Sequence, residues 1–422
     1  MKLLFVSNLY PPFYIGGYEL VCHDVARAFR ARGHDVCVLT SSYRAAEIPA
    51  DSHDERGVYR LLRLRWDWDL PRPDGMSRLD HSTLAVHRHN VRVARRALDR
   101  LRPDLVLVWS GAQLGRGMLS ALEERARVCY FLQDTWLARV LALQHSSQGD
   151  PRRLVWQTYR LALRVAGGVP RTVVAPDSSR LAFVSRALKA QYVRAGADVP
   201  RSWVVHNGID PDLFPLRPQH ILTRKATEPH RLLFAGQVAP EKGVRTLITA
   251  MREVKDTPGL EQTCLDVVGT LRSEAFAKEL RELTAHLGLQ DAVRFLPRVP
   301  RAAMPGLYQD HDLVVFTSEW EEPFAVTLLE AMATGVPVVS STTGGSAELV
   351  RHGENALAFR AGDPRDLASK LTHMLLHPRQ ASRMGLQAAA HVREHFTMQR
   401  QVEKLEEFVF AGSTLPTPVP QL

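Results

Sequence analysis

Four glutamates lie in one otherwise apolar segment, and two of them are spaced so that they could hold the two ends of a ligand. The segment EWEEPFAVTLLEAMATGVPVV begins at Glu319 and contains Glu322 and Glu330, which are separated by seven residues. A carboxylate among apolar neighbours must find a partner or stay near solvent. Glu319 and Glu321 are interpreted as solvated side chains, so Glu322 and Glu330 are the candidates for chemistry.

The residues between these glutamates predict a helix that starts beside Glu322. Pro323 suits the first turn of a helix, and the pattern predicts a helix over 324–333. The first amides of such a helix, those of Phe324, Ala325 and Val326, have no intrahelical acceptor and form an anion site. The sequence therefore predicts that a phosphate group can bind at this helix start.

The distance between the two carboxylates suggests the ligand. At helical rise, Glu322 and Glu330 lie roughly 12 Å apart along the axis, which is about the separation of the hexose from the ribose in a nucleotide sugar. Glu322 could instead simply stabilise the helix start, an effect worth roughly 0.3–1 kcal/mol. Glu330 has no such alternative, because it lies in the middle of the helix.

Strands and helices alternate along the chain in two series, as in parallel sheets covered by helices. Helices are predicted over 18–33, 85–103 and 244–255, the first two ending at Gly33 and Pro103. Apolar runs typical of buried strands occupy 2–7, 34–41, 104–110, 127–134 and 180–185, and then 231–236, 264–269, 292–297, 312–318 and 336–341. A strand followed by a turn is also predicted over 202–210. The predicted fold class is α/β, with two doubly wound Rossmann-like parallel-sheet domains facing across a cleft.

The excess of positive over negative charge lies entirely in the first half of the chain. Residues 1–210 hold 31 Lys/Arg and 20 Asp/Glu, whereas the remainder holds 23 and 25, within a total net charge of +9. This asymmetry suggests an anionic partner, and peripheral contact with an anionic membrane is hypothesised. Solvated helix faces of an arginine-rich protein are the alternative. Nucleic acid is disfavoured, since no recognition motif accompanies the charge.

The remaining composition predicts a cytoplasmic protein. The four cysteines lie far apart, so they suggest neither a zinc cluster nor a disulfide framework. There is no run of eighteen apolar residues, and the opening MKLLFVSNLYPP resembles a first buried strand more than a secretory signal. A location in the cytoplasm, peripheral at the inner membrane face, is the resulting expectation.

Several motifs together resemble family four of the retaining glycosyltransferases, which have the GT-B fold. The two-glutamate segment is the most specific of them. Others occur in the expected order along nearly the whole chain: PPFYIGGYE, VVHNGIDPDLF, LLFAGQVAPEKGVRTLITAM, LDVVGT and STTGGSAELVRHGENALAF. The resemblance implies a transfer of a hexose-type sugar from a nucleotide-diphosphate donor, UDP-sugar or GDP-sugar, to a glycan, lipid-linked or small-molecule acceptor.

The resemblance also implies roles for individual residues. Glu330 would hold the donor ribose, and Glu322 the transferred sugar. Lys242 would neutralise the departing diphosphate. The amides of 324–326 and the loop at Gly16 and Gly17 would contact the donor. Residues Arg298 and Val299 would lie near the base.

Two positions depart from the family pattern. Gln237 stands where the family often has an arginine, which removes a bidentate phosphate donor and leaves more of the charge to Lys242. Gln133 stands before Asp134 where the family often has a histidine, and an amide cannot take up a proton. Asp134 is kept as a candidate catalytic residue, without a histidine-based role.

The expected mechanism retains the anomeric configuration and uses no metal. The departing phosphate itself would accept the proton of the acceptor, so the protein supplies position and charge stabilisation. The triplet Asp67–Asp69 resembles a metal motif of another glycosyltransferase fold, but it lies outside the expected context. Tryptophans of the first domain could stack on an acceptor or simply pack: Trp66, Trp68, Trp109 and Trp136.

The sequence predicts two domains, a linker between them, a C-terminal helix and a tail. The ranges are 1–212 for an acceptor-side domain, 213–230 for a linker, 231–395 for the nucleotide-sugar domain, 396–411 for a helix packing back on the first domain, and 412–422 for a disordered tail.

One alternative to a glycosyltransferase is a non-catalytic, sugar-nucleotide-binding partner of another transferase, which is prompted by the two glutamines. A sugar-nucleotide epimerase is less favoured.

Overall fold

A computed structural model describes the protein in two compact units. The described residues are 1–43, 56–64, 83–138, 141, 176–216 and 229–411. The first unit comprises Met1–His206 and the C-terminal stretch from Gln401, and the second comprises Asn207–Arg400. The triplet Asp67–Asp69, Trp66, Trp68, most of the predicted linker and the predicted tail lie outside the described residues.

The first unit is built on a seven-stranded parallel sheet. Its strands, in chain order, are β1 (Lys2–Val6), β2 (Asp35–Ser41), β3 (Val58–Leu62), β4 (Leu105–Val108), β5 (Val128–Leu132), β6 (Leu181–Phe183) and β7 (Trp203–Val204). Their order in the sheet is β3–β2–β1–β4–β5–β6–β7. Its described α-helices before residue 207 are α1 (Gly17–Ala31), α2 (Thr83–Leu101), α3 (Arg116–Glu123) and α4 (Arg186–Arg194).

Aromatic side chains connect β1 of this sheet to the elements packed beside it. Phe5 of β1 lies edge-on to Phe29 of α1 with ring centroids 5.8 Å apart, and it stacks on Trp109 at 6.3 Å. Trp109 also packs edge-on against Phe131 and is fully buried. Trp109 is therefore a core residue, which excludes the acceptor-stacking alternative for this tryptophan.

The second unit is built on a six-stranded parallel sheet. Its strands are β8 (Arg231–Ala235), β9 (Cys264–Val268), β10 (Val293–Leu296), β11 (Leu313–Phe316), β12 (Val338–Ser341) and β13 (Leu357–Phe359). Their order is β10–β9–β8–β11–β12–β13. The α-helices are α5 (Val244–Lys255), α6 (Glu274–His286), α7 (Met304–Gln309), α8 (Val326–Ala333), α9 (Pro364–Leu376) and α10 (Pro378–His395).

The prediction of two doubly wound parallel-sheet domains is confirmed. Every predicted strand is present, and α5 has the predicted bounds. Two further strands, β3 and β13, were not predicted. Both lie at sheet edges, where one side of the strand has no neighbour to bury it.

The boundary between the units lies earlier than the predicted residue 212. Ile209 donates its amide to Phe396 O at 2.9 Å and accepts from the amide of Met398 at 2.8 Å. A Cβ added to Gly208 would lie 2.2 Å from Thr397 O. These bonds attach the residues after His206 to the second unit, so the first ends before them.

The last helix, α11 (Met398–Phe410), anchors the C-terminal stretch within the first unit. Glu406 accepts two bonds from Arg32, at 2.8 and 2.7 Å, and contacts His34 Nε2 at 3.0 Å. Phe408 packs on Trp203 with ring centroids 6.0 Å apart. Within the described part of the chain, no helix is long and apolar enough to cross a membrane.

Candidate active site

The candidate site residues of the second unit follow the carboxyl ends of its parallel strands. Gln237 follows β8, Arg298 and Val299 follow β10, and Glu322 follows β11. In parallel sheets these strand ends lie at one edge, where ligands of open α/β folds bind. The topology therefore brings these predicted residues to a single edge of the second sheet, with Gln237, Arg298 and Val299 half-buried.

Lys242 and Glu322 form an ion pair at this edge. The Lys242 ammonium donates to Glu322 Oε1, and Ser318 Oγ donates to the same oxygen at 2.7 Å. The side chains of Lys242 and Glu322 are 21% and 7% exposed. The site thus places a partly accessible cation beside a nearly buried carboxylate.

A glycine after Lys242 makes this arrangement sterically feasible. Gly243 has φ +69°, and a Cβ there would lie 2.0 Å from Thr317 O. Thr317 Oγ1 in turn donates to Lys242 O at 2.7 Å. Only glycine permits both the left-handed conformation and the close approach of the two segments. The Lys-Gly motif is therefore a packing requirement as well as a source of charge.

Trp320 is a component of this site that was not predicted. The Lys242 ammonium lies 5.2 Å from the centroid of the Trp320 ring, within range of a cation–π interaction. The Trp320 side chain is 40% exposed, so the ring is accessible beside the ion pair. The sequence signal for Trp320 was its position directly after Glu319, within the two-glutamate segment.

Glu319 is exposed as predicted, but it is not merely solvated. Its carboxylate accepts a bond from Thr246 Oγ1 in α5, and its amide donates to Glu241 O at 2.8 Å. These bonds join the strand-end segment to the turn that carries Lys242. Glu319 therefore contributes to positioning the ion pair, because it fixes the two segments to each other.

Glu330 contacts Tyr308 and Arg301 in the structure. Tyr308 Oη donates to Glu330 Oε2 at 3.0 Å, and Arg301 Nε lies 3.8 Å from Glu330 Oε1. Only 4% of Glu330 is exposed. The sequence correctly indicated that a buried carboxylate at this position needs a partner, but it did not identify Tyr308 or Arg301.

The helix that carries Glu330 begins later than predicted. It starts at Val326, because Ala325 has φ −86° and ψ 87°, outside the helical region. Phe324 and Ala325 consequently precede the helix, and the expected start near Phe324 is wrong. Within the described residues no side chain caps this N-terminus. The first helical amides, including that of Val326, have no intrahelical acceptor and can face an anion.

A double-glycine turn packs directly on the segment that carries Glu322. Gly345 donates its amide to Glu322 O at 2.6 Å, and a Cβ on Gly345 would lie 2.2 Å from Pro323 O. Gly344 has φ +58°, and its added Cβ would lie 2.3 Å from Glu322 O. The motif containing Gly344 and Gly345 therefore holds the backbone at Glu322 in place.

In the first unit, Gly16 and Gly17 lie at the start of α1. The carboxylate of Glu19 accepts from the amide of Gly16 at 3.0 Å and from that of Ile15 at 3.5 Å. A Cβ on Gly16 would lie 3.3 Å from Glu19 Oε2. Burial raises the pKa of Glu19 to about 7, against the opposing effect of these backbone hydrogen bonds. The carboxylate that holds the glycine loop thus titrates near neutral pH.

This titration predicts a pH-dependent stability difference for Glu19→Gln. An acid whose folded-state pKa is raised stabilises the fold most below its unfolded pKa, and that contribution is lost as pH rises through about 7. Relative to the non-titrating variant, the wild type should lose on the order of 3 kcal/mol of unfolding free energy between pH 4.5 and 8. Urea unfolding of both proteins at each pH measures this. A difference independent of pH would contradict the assignment.

Asp134 and Gln133 follow β5 in the first unit. Gln133 is buried, and Asp134 Oδ1 accepts from the amide of Trp136 at 2.7 Å. Burial raises the pKa of Asp134 to about 6, against the opposing effect of that bond. The pKa of Tyr18 is raised mainly by burial and further by the charges of Glu19 and Asp134. The charge of Asp134 therefore acts on Tyr18, which follows the glycine loop.

Two sequence profiles match most of the chain. The profile described as Glycosyltransferase Family 4 matches residues 15–213. The profile described as Glycosyl transferases group 1 matches residues 219–391. The two matches follow each other without overlap and correspond to the two units of the structure.

Individual relatives and solved structures are consistent with these matches. The chain is 33% identical over 213 residues to a D-inositol 3-phosphate glycosyltransferase of Thermomonospora curvata, covering 47% of this chain and 49% of that relative, about half its length. It is 25% identical over 409 residues to a glycogen synthase of Mycobacterium tuberculosis, covering 94% and 92%. The crystal structure of Anabaena HepE in complex with UDP-glucose is similar in fold, with a TM-score of 0.68, 23% identity and coverage of 97% and 100%.

Proposed function

Because the chain belongs to the family 4 glycosyltransferases and has their GT-B fold, we propose that it moves a hexose-type sugar from a nucleotide-diphosphate donor to a glycan, lipid-linked or small-molecule acceptor. The transfer retains the anomeric configuration and needs no metal. A location in the cytoplasm belongs to the same proposal, which the four free cysteines support.

The ion pair between Lys242 and Glu322 is the observation that carries this proposal. It lies at the carboxyl edge of the second sheet, and Glu330 follows Glu322 by eight residues, in the middle of α8. A donor could therefore place its diphosphate at Lys242 and the start of α8, its hexose at Glu322 and its ribose at Glu330. Each of these groups offers the charge or hydrogen-bonding capacity that its partner requires.

The proposed reaction breaks one bond and forms one bond on the same face of the sugar. The bond between the anomeric carbon and the β-phosphate oxygen breaks, and the acceptor oxygen bonds to that carbon. The acceptor proton passes to the departing phosphate oxygen, so the products are a glycoside and a nucleoside diphosphate. Lys242 stabilises the charge that develops on this phosphate, and no protein base is required.

The donor is proposed to be a UDP-sugar or a GDP-sugar. HepE, whose structure contains UDP-glucose, makes uridine nucleotides the first choice for a screen. Gln237 would contact the diphosphate through its amide, which leaves Lys242 as the main cationic contact among the described residues predicted to bind it. Arg298 and Val299 would lie near the base.

A non-catalytic, nucleotide-sugar-binding protein is the main alternative, because Gln133 and Gln237 depart from the family pattern. Nucleoside diphosphate release, measured with several donors and an acceptor panel, separates the two. Binding without turnover for every combination would favour the non-catalytic protein. An epimerase would instead convert the donor sugar without releasing the nucleotide.

Contact with an anionic membrane surface is proposed for the first unit. Four arginines of α2 are exposed at a spacing of four residues, so they lie on one helix face: Arg88, Arg92, Arg96 and Arg100. Sedimentation with vesicles containing anionic lipid, compared with neutral vesicles, tests this. Binding that does not depend on anionic lipid would overturn it.

Glu330→Ala and Glu322→Gln are expected to separate donor binding from transfer. A nucleoside diphosphate at a hundred times its dissociation constant adds about 2.7 kcal/mol of stability, which a thermal-shift assay detects. Glu330→Ala should weaken binding of the nucleoside diphosphate by about tenfold, because it removes a charged hydrogen-bond acceptor. Glu322→Gln should bind the nucleoside diphosphate nearly normally but lower kcat.

Glu354→Ala provides the control for these variants. Glu354 is exposed in the same unit and lies 4.0 Å from Arg351, outside the proposed site. Its substitution should change neither binding nor kcat. If Glu330→Ala and Glu322→Gln behave like this control, the proposed roles of both glutamates are wrong.

A further inference from the structure

The partners of Glu330 determine how its carboxylate can meet a ligand. Tyr308 Oη lies 3.0 Å from Glu330 Oε2, whereas Arg301 Nε lies 3.8 Å from Oε1. The first distance is that of a hydrogen bond, and the second that of an ion pair. Tyr308 therefore fixes the orientation of one carboxylate oxygen, while Arg301 contributes positive charge beside the other.

Tyr308 is well suited to a fixed orienting role. The residue is fully buried near the end of α7, and its ring packs against Phe214 with centroids 6.4 Å apart. Burial, and then the charge of Glu330, raise the pKa of Tyr308 well above its ordinary value, so the phenol remains a hydrogen-bond donor. Thr327 O lies 3.4 Å from the same hydroxyl, but the carboxylate is the closer and stronger acceptor.

Arg301 comes from a different part of the chain. It begins a short 3₁₀ helix, Arg301–Ala303, in the loop after β10, close in sequence to Arg298 and Val299. Its side chain is 19% exposed, compared with 5% for Glu330. The buried carboxylate thus has a positive charge beside one oxygen and a neutral donor on the other.

We propose that Tyr308 is a positioning residue for Glu330 and thereby sets the preference of this site for ribonucleotides. With Oε2 held by Tyr308, the carboxylate keeps the orientation in which it accepts hydrogen bonds from the ribose hydroxyls of the donor. Without that bond the carboxylate can rotate, and part of the energy of those hydrogen bonds is spent on ordering it. This inference rests on the proposed function, in which Glu330 binds the ribose.

Calorimetric titration of wild type and Tyr308→Phe tests the inference. The probes are UDP and GDP, each compared with its 2′,3′-dideoxy counterpart. Wild type should bind the matching ribonucleotide about tenfold more tightly than the dideoxy nucleotide. Tyr308→Phe should reduce that ratio to about threefold or less and change the dideoxy affinity by less than about twofold.

Tyr130→Phe is the matched control, because it removes the same kind of bond elsewhere. Tyr130 is also buried, and its hydroxyl donates to Glu123 Oε1 at 2.7 Å in the first unit. This variant should keep the full ribonucleotide preference even if its stability falls. A Tyr308→Phe protein that keeps the wild-type ratio would overturn the inference and leave the proposed function intact. A wild type that binds neither UDP nor GDP would overturn both.

Discussion

Lys242→Met is expected to lower kcat for sugar transfer by about 100- to 1000-fold, the usual effect of removing one charge-stabilising group from an active site. The substitution keeps an unbranched side chain of similar length but removes the ammonium that pairs with Glu322. Without it, the negative charge developing on the leaving phosphate would lie beside a carboxylate with no compensating lysine. Steady-state release of nucleoside diphosphate, with donor and acceptor varied, measures the effect.

Two further variants show whether this loss arises from the charge at the site. Lys370→Met removes a lysine that pairs with Asp366 at 3.3 Å on α9, and it should leave kcat within about twofold. Lys242→Arg keeps the charge but changes its shape, so it should retain part of the activity. A Lys242→Met enzyme with kcat within about threefold of wild type would contradict the assigned role.

The architecture could be predicted because its signals are local. Buried parallel strands appear as runs of Val, Leu and Phe, and amphipathic helices between them repeat apolar residues at helical spacing. Two edge strands, β3 and β13, were missed for the same reason. In β3, Arg60 interrupts the apolar run, and β13 has only three residues, so neither carries the signature of a strand buried on both faces.

The site was predicted residue by residue, but its pairings were not. Lys242 and Glu322 are far apart in sequence, and their contact depends on β8 and β11 being neighbours in the sheet. The partners of Glu330 depend in the same way on where the loop after β10 and helix α7 are placed. Residue types and spacing indicate that a charge is needed, whereas strand order determines which charge meets which.

Helix starts show a second limit of local reasoning. Pro323 is compatible with a helix, yet the chain is not helical before Val326. A tertiary contact of the glycine turn competes for this backbone, because Gly345 donates its amide to the backbone oxygen of Glu322. This contact therefore affects the position of the Glu322 carboxylate and not its charge.

Gly345→Ala is expected to lower kcat by about 100-fold without removing any charged group. The added methyl carbon would lie 2.2 Å from Pro323 O and 3.2 Å from Phe324 Cα, so one of the two segments must move. Both contacts belong to the turn that follows Glu322, and a displacement of about 1 Å in a catalytic group can cost about 100-fold in rate. The overpacking should also lower the unfolding free energy by about 1–3 kcal/mol. Kinetics and urea unfolding of the same preparation measure both effects.

Gly306→Ala is the control, because nothing lies within 4 Å of the methyl group that it would add in α7. It should leave kcat near the wild-type value. Comparing Gly345→Ala with Lys242→Met then separates two requirements of the site. Lys242→Met removes the cation and leaves the backbone in place, whereas Gly345→Ala keeps every charge and moves the carboxylate of Glu322. If Gly345→Ala lowers stability but leaves kcat unchanged, the position of Glu322 is not critical and only the charge of Lys242 is. If both variants lose activity to a similar extent, catalysis requires the cation and the carboxylate in the arrangement that the glycine turn holds.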